Sequence, residues 1–164
     1  MKLIVNKLAV ARSSRGVRRY YGSLSSPLLG SVAGSGWQVG SLDASFSASL
    51  DRMREWSFRS PRASVFWSPC QRGSLVSEAQ VITVHDCINV EQVRARDWRV
   101  GAYRALFTRV LQRARRVVAI SEATRVSILR NYDVDASKTV VIQSAVALPV
   151  AALQAAPTLS LIHI

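Results

Sequence analysis

The stretch Gln80 to Asp86, QVITVHD, decides how the chain is read. Its residues Val81 to Val84 are β-branched and do not alternate with charges, the pattern of a strand covered on both faces by helices in a parallel sheet. His85 and Asp86 fall just beyond its carboxyl end. Upstream, Ala63 to Trp67, ASVFW, is a compact apolar run stopped by Ser68 and Pro69, which reads as another buried strand ending at a loop. Earlier still, Lys2 to Val5 read as a short strand, followed by a polar loop through Arg12, Ser13, Ser14, Arg15 and Gly16. Val17, Tyr20, Tyr21, Leu24 and Leu28 recur at helical spacing and predict a helix from Val17 to about Leu29, with Pro27 unsettling its last turn. Gly30 to Gly40 reads as a glycine- and serine-rich connection broken by Trp37, without the Gly-x-x-x-x-Gly-Lys-Ser/Thr pattern of a phosphate loop.

Downstream, Val100, Tyr103, Phe107, Val110, Leu111 and Ala114 fall on one stripe and predict a helix from about Arg99 to Arg115. Val117 to Ile120 is another short buried strand, and Ser121 is a good amino-cap for a helix carrying Val126, Ile128 and Leu129. Lys138 to Ile142 adds a last strand. Strands alternating with helices, with no tight hairpin turns between them, predict a Rossmann-like, doubly wound α/β sheet with parallel strands.

Composition agrees with one globular domain: of 164 residues, 49% are hydrophobic and 20% charged, outside the disordered class. With 22 Lys and Arg against 10 Asp and Glu, the formal charge is +12, a sign that attracts nucleic acid, anionic lipid or a phosphorylated substrate. The cations are mostly scattered arginines, so they read chiefly as solvated helix faces, and no nucleic-acid tail is expected. Cys70 and Cys87 have no Cys-x-x-Cys or His spacing for zinc, so no metal site is expected and both read as buried, reduced thiols of a cytosolic protein. Asn6 and Lys7 interrupt the apolar start before it reaches the length of a signal-peptide core. Pro149, Gln154 and Pro157 argue against a spanning helix in the nearly uncharged segment from Ala145 to Ile164.

In open parallel sheets, ligands bind beyond the carboxyl ends of the strands, where loops and helix starts point groups into one crevice. Four polar groups of this chain land on that edge: Arg12 to Gly16, Ser68 to Gln71, His85 with Asp86, and Ser121 with Glu122. His85 beside Asp86 reads as a base oriented by a carboxylate or as a donor to a substrate hydroxyl; a strand-end histidine bonded to backbone is the plain alternative. For Ser121 and Glu122, ordinary capping of a helix start suffices. Arg12, Arg15, Arg18 and Arg19 surround Gly16 and could cradle a phosphate or an acidic acceptor at a helix start, or stand as exposed helix residues. Trp37, Trp56, Trp67 and Trp98 are too dispersed for a stacking platform and read as packing.

Three segments in order resemble the amino-terminal domain of glycosyltransferase family 4, a large GT-B group that includes bacterial mannosyltransferases. They are VNKLAVARSSRGVRRYYGSL, then SVFWSPCQRG followed by QVITVHDCIN, then RVVAISEATRVSILRNYDV with KTVVIQSAV. The resemblance spans residues 1 to 146 and implies the N-terminal, acceptor-side half of a GT-B fold. Such an enzyme transfers a sugar from a nucleotide donor, GDP- or UDP-linked, to a glycan or lipid-linked acceptor, usually with retention and without a bound metal. The resemblance places His85 and Asp86 near the transferred sugar and acceptor. Ser13, Ser14, Arg15 and Gly16 would face the cleft, which Ser121 and Glu122 would also line. Where many relatives carry paired glycines, this loop reads Ser-Ser-Arg-Gly, which narrows backbone approach to an anion.

The family's second domain, which holds the donor, has no counterpart after Val146, and residues 147 to 164 read as the start of a linker or a foreign tail. On this reading the chain binds no cofactor itself, lacks a C-terminal donor-binding partner domain, and is expected not to transfer sugar alone. The basic surface leaves the cytosol and the cytoplasmic membrane face both open as locations, with an anionic membrane surface as a partner and no nucleic acid expected. The alternative is a non-enzymatic basic α/β module that binds anionic lipid or nucleic acid. A Rossmann oxidoreductase is disfavoured by the missing Gly-x-Gly-x-x-Gly after the first strand.

Overall fold

The computed structural model describes residues 1–91 and 98–144; the segment from residue 145 onward, read above as the domain end with a linker or foreign tail, lies outside the described residues. The elements are β1 (Lys2–Val5), α1 (Lys7–Ala11), α2 (Arg15–Gly34), β2 (Gln38–Ser41), α3 (Ala48–Ser57) and β3 (Ser64–Ser68). They continue with β4 (Gln80–Val84), α4 (Ile88–Glu91), α5 (Trp98–Arg113), β5 (Arg116–Ala119), α6 (Glu122–Asn131), a 3-10 turn (Ala136–Lys138) and β6 (Thr139–Val141). The strands form one sheet in the order β2-β1-β3-β4-β5-β6, and every pair is parallel. This is the doubly wound α/β sheet expected from the alternation of strands and helices.

Strand alternation distributes β4 between two cores. Ile82 and Val84 pack with Phe107, Val110 and Leu111 of α5 and with Ile128 of α6, whereas Val81 joins Leu3, Val5 and Trp67 under Tyr20, Tyr21, Leu24 and Leu28 of α2. Each strand of the sheet's middle thus has helices on both faces, which is why QVITV needs no polar alternation. The chain moves outward from β1 to β2 and then returns past β1 to β3, so the winding direction reverses between β1 and β3. A crevice at the carboxyl ends of those two strands is the expected place for a ligand.

Three features differ from the sequence reading, the first being that Lys7–Ala11, read as loop after the first strand, forms the short helix α1 capped by Asn6. α2 continues through Pro27 to Gly34: Pro27 and Ser23, whose carbonyl loses its helical partner, are both exposed, so solvent can satisfy the freed oxygen. The presumed connection Gly30 to Gly40 therefore contains the end of α2, a turn at Gly36 with φ of 76°, and the edge strand β2. Helix α3, which no apolar stripe marks, buries Asp51 and Glu55 instead of hydrophobic residues.

Gly73 passes so close to β4 and α5 that a side chain there would force its neighbours to shift. A Cβ there would lie 2.7 Å from Ile82 Cδ1, 2.8 Å from Val110 Cγ1 and 2.9 Å from Gln80 Oε1. Gly73→Ala is expected to destabilise the fold by about 1–3 kcal/mol through overpacking, measured by urea unfolding. Unchanged stability would mean that the loop has room to retreat.

Candidate functional site

The carboxyl ends of β1, β3 and β4 end in polar residues that meet. Asn6, directly after β1, caps α1 by accepting from Ala9 N at 3.1 Å and also donates to Glu55 Oε1 at 2.7 Å and to Ser68 Oγ at 3.1 Å. Glu55 in turn accepts from Arg72 Nε at 2.9 Å and Nη2 at 2.6 Å. Burial pushes the Glu55 carboxyl above its ordinary range, against the opposing pull of the Arg72 charge and the Asn6 and Arg72 hydrogen bonds. This buried cluster ties the loop after β1, the loop after β3 and helix α3 to one another.

Beside it, Arg12 donates from Nε at 3.1 Å and Nη2 at 2.8 Å to Asp51 Oδ2, and from Nη2 to the Ser45 carbonyl at 3.1 Å. Asp51 is fully buried. Burial alone would raise its carboxyl, but the hydrogen bonds from Ser45 and Arg12, with the guanidinium charge, prevail and hold it at about 2. The reading of Arg12 as part of an anion cradle is corrected: its guanidinium is committed to Asp51. Arg15, Arg18 and Arg19 are exposed, and Gly16 lies in the first turn of α2. A Cβ on Gly16 would meet only Ser14 Oγ at 3.9 Å, so space does not require glycine there.

Over this base lies a groove of ≈ 400 Å³ lined by Ser13 and Ser14 after β1, Cys70, Gln71 and Arg72 after β3, and Asp86 with Ile88 after β4; Tyr103 of α5 closes one side. Ser13 is held by its own hydroxyl, which donates to the Ala9 carbonyl at 2.6 Å, and Ser14 caps α2. Gln71 bridges the loops by donating to the Asp86 main-chain carbonyl and, at 3.4 Å, to its carboxylate. Cys70 and Cys87 are free and buried, and burial raises both thiols, as expected for unreactive sulfurs.

His85 is half-buried and is not among the residues that line this groove. It points to the α2 face, two residues after Thr83, and its ring stands edge-on to Tyr20 with centroids 4.8 Å apart. Its Nε2 lies 2.9 Å from the Pro69 carbonyl. A carbonyl only accepts, so Nε2 carries the hydrogen and Nδ1 is the nitrogen free of that bond. The idea that Asp86 orients this imidazole is corrected: the Asp86 carboxylate turns to Ile88 N, 3.3 Å away, and to Gln71, and the orienting group is Pro69.

Ser121 and Glu122 do not line the groove. Ser121 Oγ accepts from Thr124 N at 3.1 Å, capping α6, and Thr124 Oγ1 donates to the His85 carbonyl at 3.1 Å, so the cap reaches the site through the backbone of His85. Glu122 is exposed and pairs with Arg125 at 2.9 Å. The residues that sequence reasoning missed are Asn6, Glu55, Arg72 and Tyr20 as site supports. Only Asn6 carried a signal, a good helix cap placed directly after an apolar strand.

A larger hollow, ≈ 640 Å³, lies at the other end of the sheet among Glu78, Arg109, Arg113, Arg115, Arg116 and Lys138. It touches none of the residues above. Among the described residues no three His, Cys, Asp or Glu side chains gather as a metal cluster, and no helix is long and apolar enough to cross a membrane.

The model of Glycosyltransferase Family 4 matches residues 62–148, more than half of the chain. The match takes in His85, Asp86, Ser121, Glu122 and the loop Cys70 to Arg72, and leaves out Ser13 to Gly16. No curated protein and no solved structure matches the chain.

Proposed function

The chain belongs to glycosyltransferase family 4, and from that premise we propose that it is the acceptor-side half of a GT-B enzyme transferring a sugar from a nucleotide-linked donor to a glycan or lipid-linked acceptor. The observation that carries this reading is a groove at the carboxyl edge of the sheet to which the loops after β1, β3 and β4 all contribute. That groove sits at the reversal between β1 and β3, where a parallel sheet opens a crevice.

In this reading Ser13, Ser14, Gln71 and Asp86 meet the hydroxyls of an acceptor, since serine hydroxyls, an amide and a carboxylate are the donors and acceptors that sugar recognition needs. His85 stands outside the groove lining, on the α2 side of the same sheet edge. In this reading its Nδ1, the nitrogen not tied to Pro69, meets a hydroxyl of the transferred sugar or acceptor where the second domain closes over that side. The donor, GDP- or UDP-linked and mannose among the candidates, is held by a second domain of the GT-B fold that faces this groove. A cytoplasmic or membrane-face location suits a nucleotide-sugar donor. The test is whether transfer by a protein that joins this chain to a donor-binding domain depends on His85; intact transfer without the imidazole would defeat the reading.

The competing reading, a basic module without catalysis, draws on the net charge of +12. It leaves the polar groove unexplained, because a purely electrostatic binder needs cations on its surface and not a serine-lined crevice.

A further inference from the structure

Helix α3 turns Leu50 and Met53 away from the core. Asp51 and Glu55, one turn apart, take the inward positions at 0% and 1% exposure, so Leu50 and Met53, three residues apart on the opposite face, stand 45% and 64% exposed. Phe46, just before the Ser47 cap, is 98% exposed. A hydrophobic residue at that position usually packs against the fourth residue of the helix; here that residue is Asp51, which is turned inward to Arg12, so Phe46 has no apolar partner to cover it.

Charge identifies what covers this tip. Between residues 42 and 62, Arg52, Arg54, Arg59 and Arg62 are exposed, while Asp51 and Glu55 are buried and neutralised by Arg12 and Arg72. Asp43 is the exposed acid of the segment, and it accepts from Ser41. Arg54 donates to the Asp43 carbonyl and lies 3.5 Å from Asp51 Oδ1, and Arg52 lies over the Trp56 ring at 5.9 Å; both remain exposed on the helix that carries Leu50 and Met53. A second copy of the chain would bring another +12 against this rim, which opposes association. An aromatic and aliphatic tip fringed by arginines fits a bilayer interface, with the apolar side chains among the acyl chains and the guanidiniums at phosphate headgroups.

The geometry points to docking of the Phe46, Leu50 and Met53 tip on an anionic lipid bilayer. Arg12, held by Asp51 and the Ser45 carbonyl at this same corner, immediately precedes Ser13 and Ser14, so docking sets the groove beside the membrane surface. In purpose this rests on the sugar-transfer reading, naming a lipid-linked acceptor; in occurrence it does not, because the test measures no transfer.

The test is co-sedimentation of the 164-residue chain with vesicles of phosphatidylcholine alone or mixed with phosphatidylglycerol. The chain should bind the mixed vesicles, and added salt should weaken the binding. Phe46→Ser combined with Met53→Ser should weaken it by on the order of tenfold or more, with the unfolding curve unchanged because both side chains are exposed. Arg115→Gln with Arg116→Gln, at the far edge of the sheet, should have a much smaller effect. Absence of vesicle binding would overturn the assignment, as would full binding by the Phe46 and Met53 variant or a larger loss from the far-edge pair. A concentration-dependent dimer that the Phe46 and Met53 variant abolishes would also overturn it, by giving the tip to a second copy.

Discussion

In a protein that joins this chain to a donor-binding domain, His85→Ala is expected to lower kcat/KM for sugar transfer by about 10²–10³-fold, with thermal unfolding close to that of the wild type. The size follows from how the imidazole is held. Pro69 accepts its Nε2–H, Tyr20 packs edge-on against the ring, and Thr124 fixes the carbonyl of the same residue. A group oriented in advance by three separate elements loses little freedom when a sugar hydroxyl arrives, and that advantage disappears with the side chain. The loss should fall mainly on kcat. A rise in KM alone would make His85 a recognition residue, and wild-type turnover would remove it from the site altogether. Ser121→Ala serves as the comparison: it removes a helix cap, about 1 kcal/mol, and reaches His85 only through Thr124, so its effect on transfer should be far smaller.

The largest effect on stability is expected from Arg72→Ala, a loss of about 3–5 kcal/mol, because it leaves the Glu55 carboxylate buried without its cation. The pH dependence identifies the cause. The Glu55 carboxyl in the wild type already lies above its ordinary value, and removing Arg72 raises it further. A group with a raised folded-state value contributes its stability fully below the unfolded value, here 4.5, and loses it as pH rises through the folded value. The deficit of Arg72→Ala should therefore be largest near neutrality and shrink as the pH falls toward 4.5 and below. Glu55→Gln combined with Arg72→Gln should be less damaging than Arg72→Ala, since no buried charge remains. A deficit independent of pH would assign the effect to lost packing of the Arg72 stem.

The parallel sheet was legible in the sequence because its central strands are apolar on both faces: QVITV and SVFW can be nothing but buried strands once helices flank them. The edge strand β2 was not, since QVGS has one partner and no apolar run. Helix α3 was invisible to hydrophobic periodicity for a more interesting reason. Its inward positions are Asp51 and Glu55, whose burial is compensated by Arg12 and Arg72 from other parts of the chain, and no local pattern reveals partners that are 39 and 17 residues away.

The site divides in the same way. Residues at strand ends could be placed on the correct edge because a parallel sheet puts all carboxyl ends together, and Ser13, Ser14, Gln71 and Asp86 do line one groove. Which atom orients His85 could not be read: Asp86 is adjacent in sequence, yet the Pro69 carbonyl, 16 residues earlier, receives the hydrogen bond. Arg12 was likewise legible as a cation beside the groove and illegible as the partner of Asp51.

The most direct test of the acceptor groove is a 1H–15N titration of the labelled chain with a panel of soluble oligosaccharides that differ in their terminal sugar. Shift changes should gather at the backbone amides of Ser13, Ser14, Gln71, Asp86 and Ile88, on loops far apart in sequence. Changes confined to Arg115, Arg116 and Lys138 at the other edge of the sheet, or none at saturating sugar, would contradict an acceptor site at the carboxyl ends of the strands.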